Sequence, residues 1–134
     1  MRIVLDTNVL VSGLISTGAP PARIIDWLRA SKLQLVVEDR ILAEYADVLS
    51  RDYLREYFSV SAADDILEFL RHDSARVDST VIIRSLPDPG DIPFLEVALT
   101  AAVPLVTGNK KHFPAGSAAQ CRVLTPREFV QTLV

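Results

Sequence analysis

The sequence has little cysteine and no surplus of basic residues, and each shortage limits what the protein can be. A single cysteine, Cys121, among 134 residues cannot form an internal disulfide, so we expect a fold held by its core in a reducing, cytoplasmic environment. Fourteen lysines and arginines are outnumbered by 17 acidic residues, for a formal net charge of −3. Tight, passive binding of nucleic acid usually needs a basic surplus. Any contact with nucleic acid must therefore be local or assisted by a metal ion.

Long apolar runs are missing as well. No apolar window approaches the ~20 residues that a membrane span requires, so no membrane association is expected. The first apolar stretch is interrupted by Asp6 and Asn8, whereas the apolar region of a signal peptide runs for about 7 to 15 residues without charge. We therefore interpret the N-terminal segment as part of the fold.

What remains is the composition of a folded globular protein, with 49% hydrophobic and 23% charged residues. The sequence contains no low-complexity tract, internal repeat or obvious linker. A chain of 134 residues is long enough to bury one hydrophobic core but too short to form two domains of ordinary size. We predict a single domain over residues 1–134.

Short strand patterns alternate with helical patterns along the chain. The apolar runs at residues 2–6, 33–38 and 103–109 are typical of strands buried on both faces. Amphipathic helical patterns begin near Pro20 and Asp39. This alternation predicts the α/β class, as a three-layer α/β/α fold around a central parallel sheet of about four to five strands.

Polar side chains follow the predicted strands at the edge where ligands bind in open parallel sheets. Asp6 ends the first strand, and Asn109 follows the strand "LVTG". Asp91 opens a helix and shares the face of Phe94, three residues further on, so it should point into the same crevice. Glu96, about 140° around that helix, should face solvent.

A second helix offers a further acid. Glu44 lies on the flank of an apolar face centred near Tyr45 and can reach inward, whereas Asp47 lies nearly opposite. Acids gathered without a basic partner would repel each other, so a cation is needed. Oxygen ligands suit Mg²⁺ or Mn²⁺. Taken singly, Asp6 could be a helix cap and Asp91 a partner of its own helix dipole.

Four segments, in this order and spacing, resemble those of PIN-domain ribonucleases, particularly the small VapC-like toxins of bacterial toxin–antitoxin systems. They are "LDTNVLVSGLIS" at 5–16, "ILAEYADVLSR" at 41–51, "DPGDIPFLEVA" at 88–98 and "LVTGNKKHF" at 105–113. The resemblance covers nearly the whole chain and agrees with the fold class predicted from the strand and helix patterns.

This resemblance implies a metal-dependent endoribonuclease that hydrolyses RNA phosphodiester bonds. It places the catalytic side chains at Asp6, Glu44, Asp91 and Asn109. The first three would hold Mg²⁺ or Mn²⁺. Asn8 and Thr107 match supporting polar residues of the family. The resemblance further implies an RNA substrate, an antitoxin partner and a homodimer.

Departures from the family pattern leave alternatives open. Asn109 stands where many relatives carry Asp, which removes a negative charge, although its carbonyl oxygen can still bind a cation or orient water. Gly90 and Ile92 stand where relatives often carry additional aspartates, so Asp88 is the one further acid close to Asp91 in this segment. A catalytically degenerate PIN fold that acts as a binding scaffold is therefore an alternative. A phosphatase of the haloacid dehalogenase type is disfavoured because Asn8 stands where that family needs its second Asp.

Basic residues near the predicted crevice are candidates for contacts with the substrate. Arg51, Lys110 and Lys111 are candidate phosphate contacts, although such residues are equally common on a solvated surface. His112, a lone histidine beside Phe113, is interpreted as a packing or surface residue.

Overall fold

The computed structural model describes residues 1–118 and 120–133. Within these ranges five short strands form one parallel sheet. They are β1 (Arg2–Leu5), β2 (Gln34–Val37), β3 (Ala75–Arg76), β4 (Leu105–Val106) and β5 (Val123–Leu124). The order across the sheet is β3-β2-β1-β4-β5, so the first strand lies at its centre. The predicted α/β class and parallel sheet are confirmed.

Helices cover both faces of this sheet. Their bounds are α1 (Thr7–Ile15), α2 (Pro20–Arg29), α3 (Asp39–Leu49), α4 (Val60–Asp73), α5 (Ile92–Ala101), α6 (Ala115–Ala118) and α7 (Pro126–Thr132). Every residue in the runs 3–5 and 35–37 is at most 1% exposed. Because successive side chains of a strand point to opposite faces, such continuous burial requires a helical layer on each side. The predicted three-layer arrangement is confirmed.

Local signals in the sequence explain where several helices begin. Pro20 stands at the first position of α2, where its missing N–H costs nothing. Thr125 caps α7 through its side chain, and the Glu128 carboxylate accepts a hydrogen bond from the Thr125 backbone in return. A short 3₁₀ helix spans Asp52–Glu56, shortly after α3 ends.

Helices α1 and α2 pack closely at Gly13. A Cβ atom at this position would lie 2.4 Å from Ile25 Cγ1 and 2.7 Å from the Pro21 carbonyl oxygen. Only a residue without a side chain permits this approach. The contact fixes α1, which begins next to Asp6, against the rest of the helical layer.

The prediction that Glu96 faces solvent is wrong. Glu96 is only 6% exposed, and its carboxylate accepts hydrogen bonds from Arg40 Nη2 and from the Ile83 backbone, both at 2.9 Å. The segment 77–86, which has no regular secondary structure, runs over this side of α5. Glu96 therefore lies on the side of α5 that faces away from the sheet, but it is buried because the segment 77–86 covers that side of the helix.

None of the helices within residues 1–118 and 120–133 combines the length and the apolar character needed to cross a lipid bilayer.

Candidate active site

Asp6 lies at the carboxyl end of the central strand and is 4% exposed. Asp6 stands at the N-cap position of α1, but its side chain forms no capping hydrogen bond there. Instead, Thr107 Oγ1 donates to Asp6 Oδ2 at 2.7 Å. The two residues meet because β1 and β4 are neighbours, with the Asp6 amide bonded to the Val106 carbonyl. Thr107 is thus placed as predicted, next to the first acid.

Asp91 lies at the junction between a 3₁₀ turn (Pro89–Asp91) and α5, and it is 8% exposed. Burial, followed by the negative charges of Asp6 and Asp88, raises the pKa of Asp91 to about 6, although His112 opposes the rise. Thr107, which contacts Asp6, and His112, which contacts Asp91, both lie in the segment that follows β4, so the two acids line the same edge of the sheet. The two acids therefore share one crevice, as the sequence predicted.

Glu44 reaches the same crevice from α3. It is half-buried, and its Oε2 accepts a hydrogen bond from Thr7 Oγ1 at 2.5 Å. Thr7 directly follows Asp6. A Cβ built on Gly90 would lie 3.9 Å from Glu44 Oε1, so the carboxylate also borders the turn that carries Asp91. All three predicted acidic ligands are thereby brought together.

Tyr45 forms the floor beneath these acids. It is fully buried, and its hydroxyl donates to the Leu5 carbonyl at 2.5 Å. Burial, followed by the charges of Asp6 and Glu44, raises the pKa of Tyr45 well above its ordinary value. The phenol therefore stays neutral and contributes no further charge to the site.

The electrostatics of the crevice favour a cation. Burial raises the pKa of Asp6, although the Thr107 hydrogen bond and nearby backbone amides oppose this. Within the described ranges, no lysine or arginine forms an ion pair with any of the three acids. In the same part of the chain, Asp91 Oδ2 is buried without a hydrogen-bond partner. A divalent cation would bind this oxygen and offset the repulsion among the carboxylates, so the residues present fit a metal site.

The remaining predicted residues differ in how they relate to this crevice. The Asn109 backbone N–H donates to Thr107 Oγ1 at 3.1 Å, which holds Asn109 beside the partner of Asp6. Asn8 is exposed on the first turn of α1. Their predicted roles in ligation and support stay predictions.

The three candidate phosphate contacts lie on the surface. Arg51 forms an ion pair with Asp47, at 3.4 Å. Lys110 Nζ lies 3.2 Å from Glu128 Oε1, and Lys111 is exposed. Exposed ion pairs of this kind contribute little to stability. Their predicted role also stays a prediction.

His112 is the residue that the sequence interpretation missed. Its Nδ1 atom lies 2.9 Å from Asp91 Oδ2. A single 3₁₀ turn (Lys110–His112) after β4 folds the ring back toward the crevice. Asp88, Asp91 and His112 each offer one ligand atom, and these three atoms lie within 4.8 Å of one another. The spacing in the sequence could have indicated this position, because His112 follows Asn109 by three residues, which is one turn of a 3₁₀ helix.

Comparisons with known proteins agree with this architecture. A protein-family model described as PIN domain matches residues 2–111. The uncharacterized protein MJ1680 of Methanocaldococcus jannaschii is 25% identical over 141 residues, covering 98% of this chain and 90% of that protein.

Two solved structures share the fold. VapBC2 from Rickettsia felis, bound to a DNA fragment from its promoter, matches with a TM-score of 0.61 and 16% identity, over 93% of this chain and 98% of that one. VapBC-1 from nontypeable Haemophilus influenzae matches with a TM-score of 0.63 and 18% identity, over 95% and 99% of the two chains. With the family model matching most of the sequence and the acids meeting at the sheet edge, this chain belongs to the PIN-domain family.

Proposed function

We propose that the protein is a metal-dependent endoribonuclease that hydrolyses RNA phosphodiester bonds, and that it serves as the toxin of a toxin–antitoxin pair. The observation that carries this proposal is the buried Asp91 Oδ2, which has no hydrogen-bond partner in the described chain and lies in a crevice shared with Asp6 and Glu44. Membership of the PIN-domain family supports the nuclease activity.

In this proposal Asp6, Glu44 and Asp91 hold Mg²⁺ or Mn²⁺. When bound, the cation supplies an acidified water and offsets charge that develops on the phosphate in the transition state. The protein contributes orientation. Thr107 fixes one oxygen of Asp6 and Thr7 fixes one oxygen of Glu44, so both carboxylates are held before the cation arrives.

The acidic crevice is compatible with an anionic substrate only when the cation is present. Without it, the carboxylates repel phosphate as they repel each other. Arg51, Lys110 and Lys111 would then contact flanking phosphates, and Asn109 would orient water or bind the cation through its carbonyl oxygen. Such contacts recognise the RNA backbone and not its bases.

The toxin role draws on the solved VapBC structures, which match almost the full length of this chain. By analogy, an antitoxin protein would cover the crevice, and two copies of the chain would form a homodimer in the cytoplasm. Expression of the protein alone should arrest bacterial growth, and co-expression of its antitoxin should restore it. Growth that is unaffected by the active enzyme would refute the toxin role.

The nuclease activity is tested with purified protein, several structured RNAs, and Mg²⁺ or Mn²⁺. We expect wild type to cleave, and Asp6→Asn and Asp91→Asn to lose cleavage by more than about a hundredfold, because each removes a charged ligand. Asp65→Asn, an exposed change on α4, is the matched control and should cleave normally.

An absence of cleavage by wild type with every RNA and both cations would instead support the scaffold alternative. The feature that favours this alternative is Asn109, which lacks the charge of the Asp found in many relatives.

A further inference from the structure

We propose that Asp88 and His112 join Asp91 in a second metal position of mixed oxygen and nitrogen ligands, and that this position favours Mn²⁺ over Mg²⁺. The inference rests on the proposed function in that both cations serve the same crevice. It concerns residues outside the three-acid set, and the PIN-domain match ends at residue 111, before His112.

The central observation is the close approach of an imidazole to a buried carboxylate. His112 Nδ1 lies 2.9 Å from Asp91 Oδ2, which is within ion-pairing distance, although the two groups are not aligned as a hydrogen bond. Neighbouring ligand atoms on an octahedral ion with bonds of ~2.1 Å lie about 3 Å apart. The separation of these two atoms therefore matches that of two ligands of one cation.

Burial strengthens this assignment. Asp91 is 8% exposed, and its Oδ2 atom is inaccessible to solvent. Bulk water cannot satisfy this oxygen, whereas a cation held between it and the imidazole would. The His112 side chain is 34% exposed, which leaves a path by which the ion can enter.

Asp88 provides the third ligand. Its ligand oxygen lies within 4.8 Å of those of Asp91 and His112. Its Oδ1 atom accepts a hydrogen bond from the Gly90 N–H at 2.9 Å, which orients the carboxylate at the start of the turn. Asp88 thus adds a negative charge to the crevice, where Asn109 provides none.

The choice of metal follows from the nitrogen ligand. Mg²⁺ binds oxygen and retains its waters, so an imidazole adds little to its affinity. First-row transition metals accept imidazole, and Mn²⁺ also suits carboxylates. A site with two carboxylates and one imidazole therefore binds Mn²⁺ with a preference that an all-oxygen site lacks.

The test measures binding directly, on the full-length protein with Mn²⁺ alone. Pulsed electron paramagnetic resonance detects ¹⁴N coupling from a histidine bound to Mn²⁺, and titration of the free-ion signal gives the dissociation constant. The variants are His112→Gln and Asp88→Asn. The control is His72→Gln, which alters an exposed histidine that contacts Glu68 on α4. Circular dichroism verifies that each variant is folded.

We expect ¹⁴N coupling in wild type and His72→Gln and none in His112→Gln. The dissociation constant for Mn²⁺ should rise about tenfold in His112→Gln and in Asp88→Asn, while that for Mg²⁺, measured by competition, changes less than about twofold in His112→Gln. Bound Mn²⁺ without ¹⁴N coupling, coupling that survives in His112→Gln, or no Mn²⁺ binding by folded wild type would each overturn the inference.

The failure of this inference is distinguishable from failure of the proposed function. If Mn²⁺ shows histidine coupling but no RNA is cleaved, the metal position stands and the ribonuclease proposal falls. If RNA is cleaved but no coupling appears, the three-acid enzyme stands and the second position falls.

Discussion

Replacing Asp91 by asparagine should stabilise the metal-free protein, even though it removes one of the proposed metal ligands. Burial, and then the charges of Asp6 and Asp88, raise the pKa of Asp91 from 3.8 to about 6. In the unfolded chain the carboxyl group regains its ordinary pKa, so between these values the native state binds the proton more tightly. The stability contributed by this protonation is fully present below about pH 4 and is lost as the pH rises through about 6.

The magnitude follows from the two pKa values. They differ by roughly 2, and each pKa unit corresponds to about 1.4 kcal/mol, so ionising Asp91 costs the native state about 3 kcal/mol above pH 6. Asparagine carries no charge at any pH and avoids this cost, although its buried amide offsets part of the gain. For a chain of this size the melting temperature of Asp91→Asn should exceed that of wild type by about 5 to 10 °C above pH 6.

The assay is thermal unfolding followed by circular dichroism in the presence of a chelator, over a pH series. The difference between Asp91→Asn and wild type should be near zero below about pH 4 and should grow to its full value above about pH 6. Asp65→Asn, an exposed change, should behave as wild type throughout. Added Mn²⁺ should stabilise wild type and not Asp91→Asn.

Two results would refute this reasoning. One is an Asp91→Asn variant that is less stable than wild type above pH 6 without metal. The other is a stability difference that does not change with pH, since it would mean that the carboxyl group of Asp91 is not protonated more readily in the native state.

Three further substitutions test other contacts. Thr107→Val removes the hydroxyl that orients Asp6, and isothermal titration calorimetry should show metal affinity about tenfold lower with an unchanged fold. Gly13→Ala places a methyl group against Ile25, and chemical denaturation should show a loss of about 1 to 3 kcal/mol; unchanged stability would mean that α1 and α2 can separate freely. Glu96→Ala removes the acceptor for an arginine and a loop amide, so the same measurement should show a loss of about 1 to 3 kcal/mol, with faster proteolysis of the loop 77–86.

The parts of the fold that depend on local pattern could be predicted from the sequence. Continuous apolar runs identified the buried strands, and Asp6 followed because it ends the first of them. Asp91 was placed by its spacing from Phe94, which lies three residues further on in α5, and both residues are buried. These predictions needed only periodicity and the rule that ligands gather at the carboxyl ends of parallel strands.

The parts that depend on irregular segments could not be predicted. Glu96 is buried because a loop without periodicity crosses α5, and nothing in the helix itself indicates that cover. His112 reaches Asp91 because a single 3₁₀ turn reverses the chain after β4. A turn of three residues has no hydrophobic repeat from which the direction of its side chains can be predicted.

The central position of β1 has a consequence for the protein as it leaves the ribosome. The hydrogen bond between Asp6 and Thr107 joins residues 101 positions apart, and β4 lies directly beside β1. A nascent chain that ends before β4 carries its acids but leaves one edge of β1 bare, where another polypeptide could pair with it. The crevice is completed only when most of the chain has been translated. Under the proposed ribonuclease activity, this order of assembly would prevent unfinished copies from cleaving the messenger RNA that encodes them.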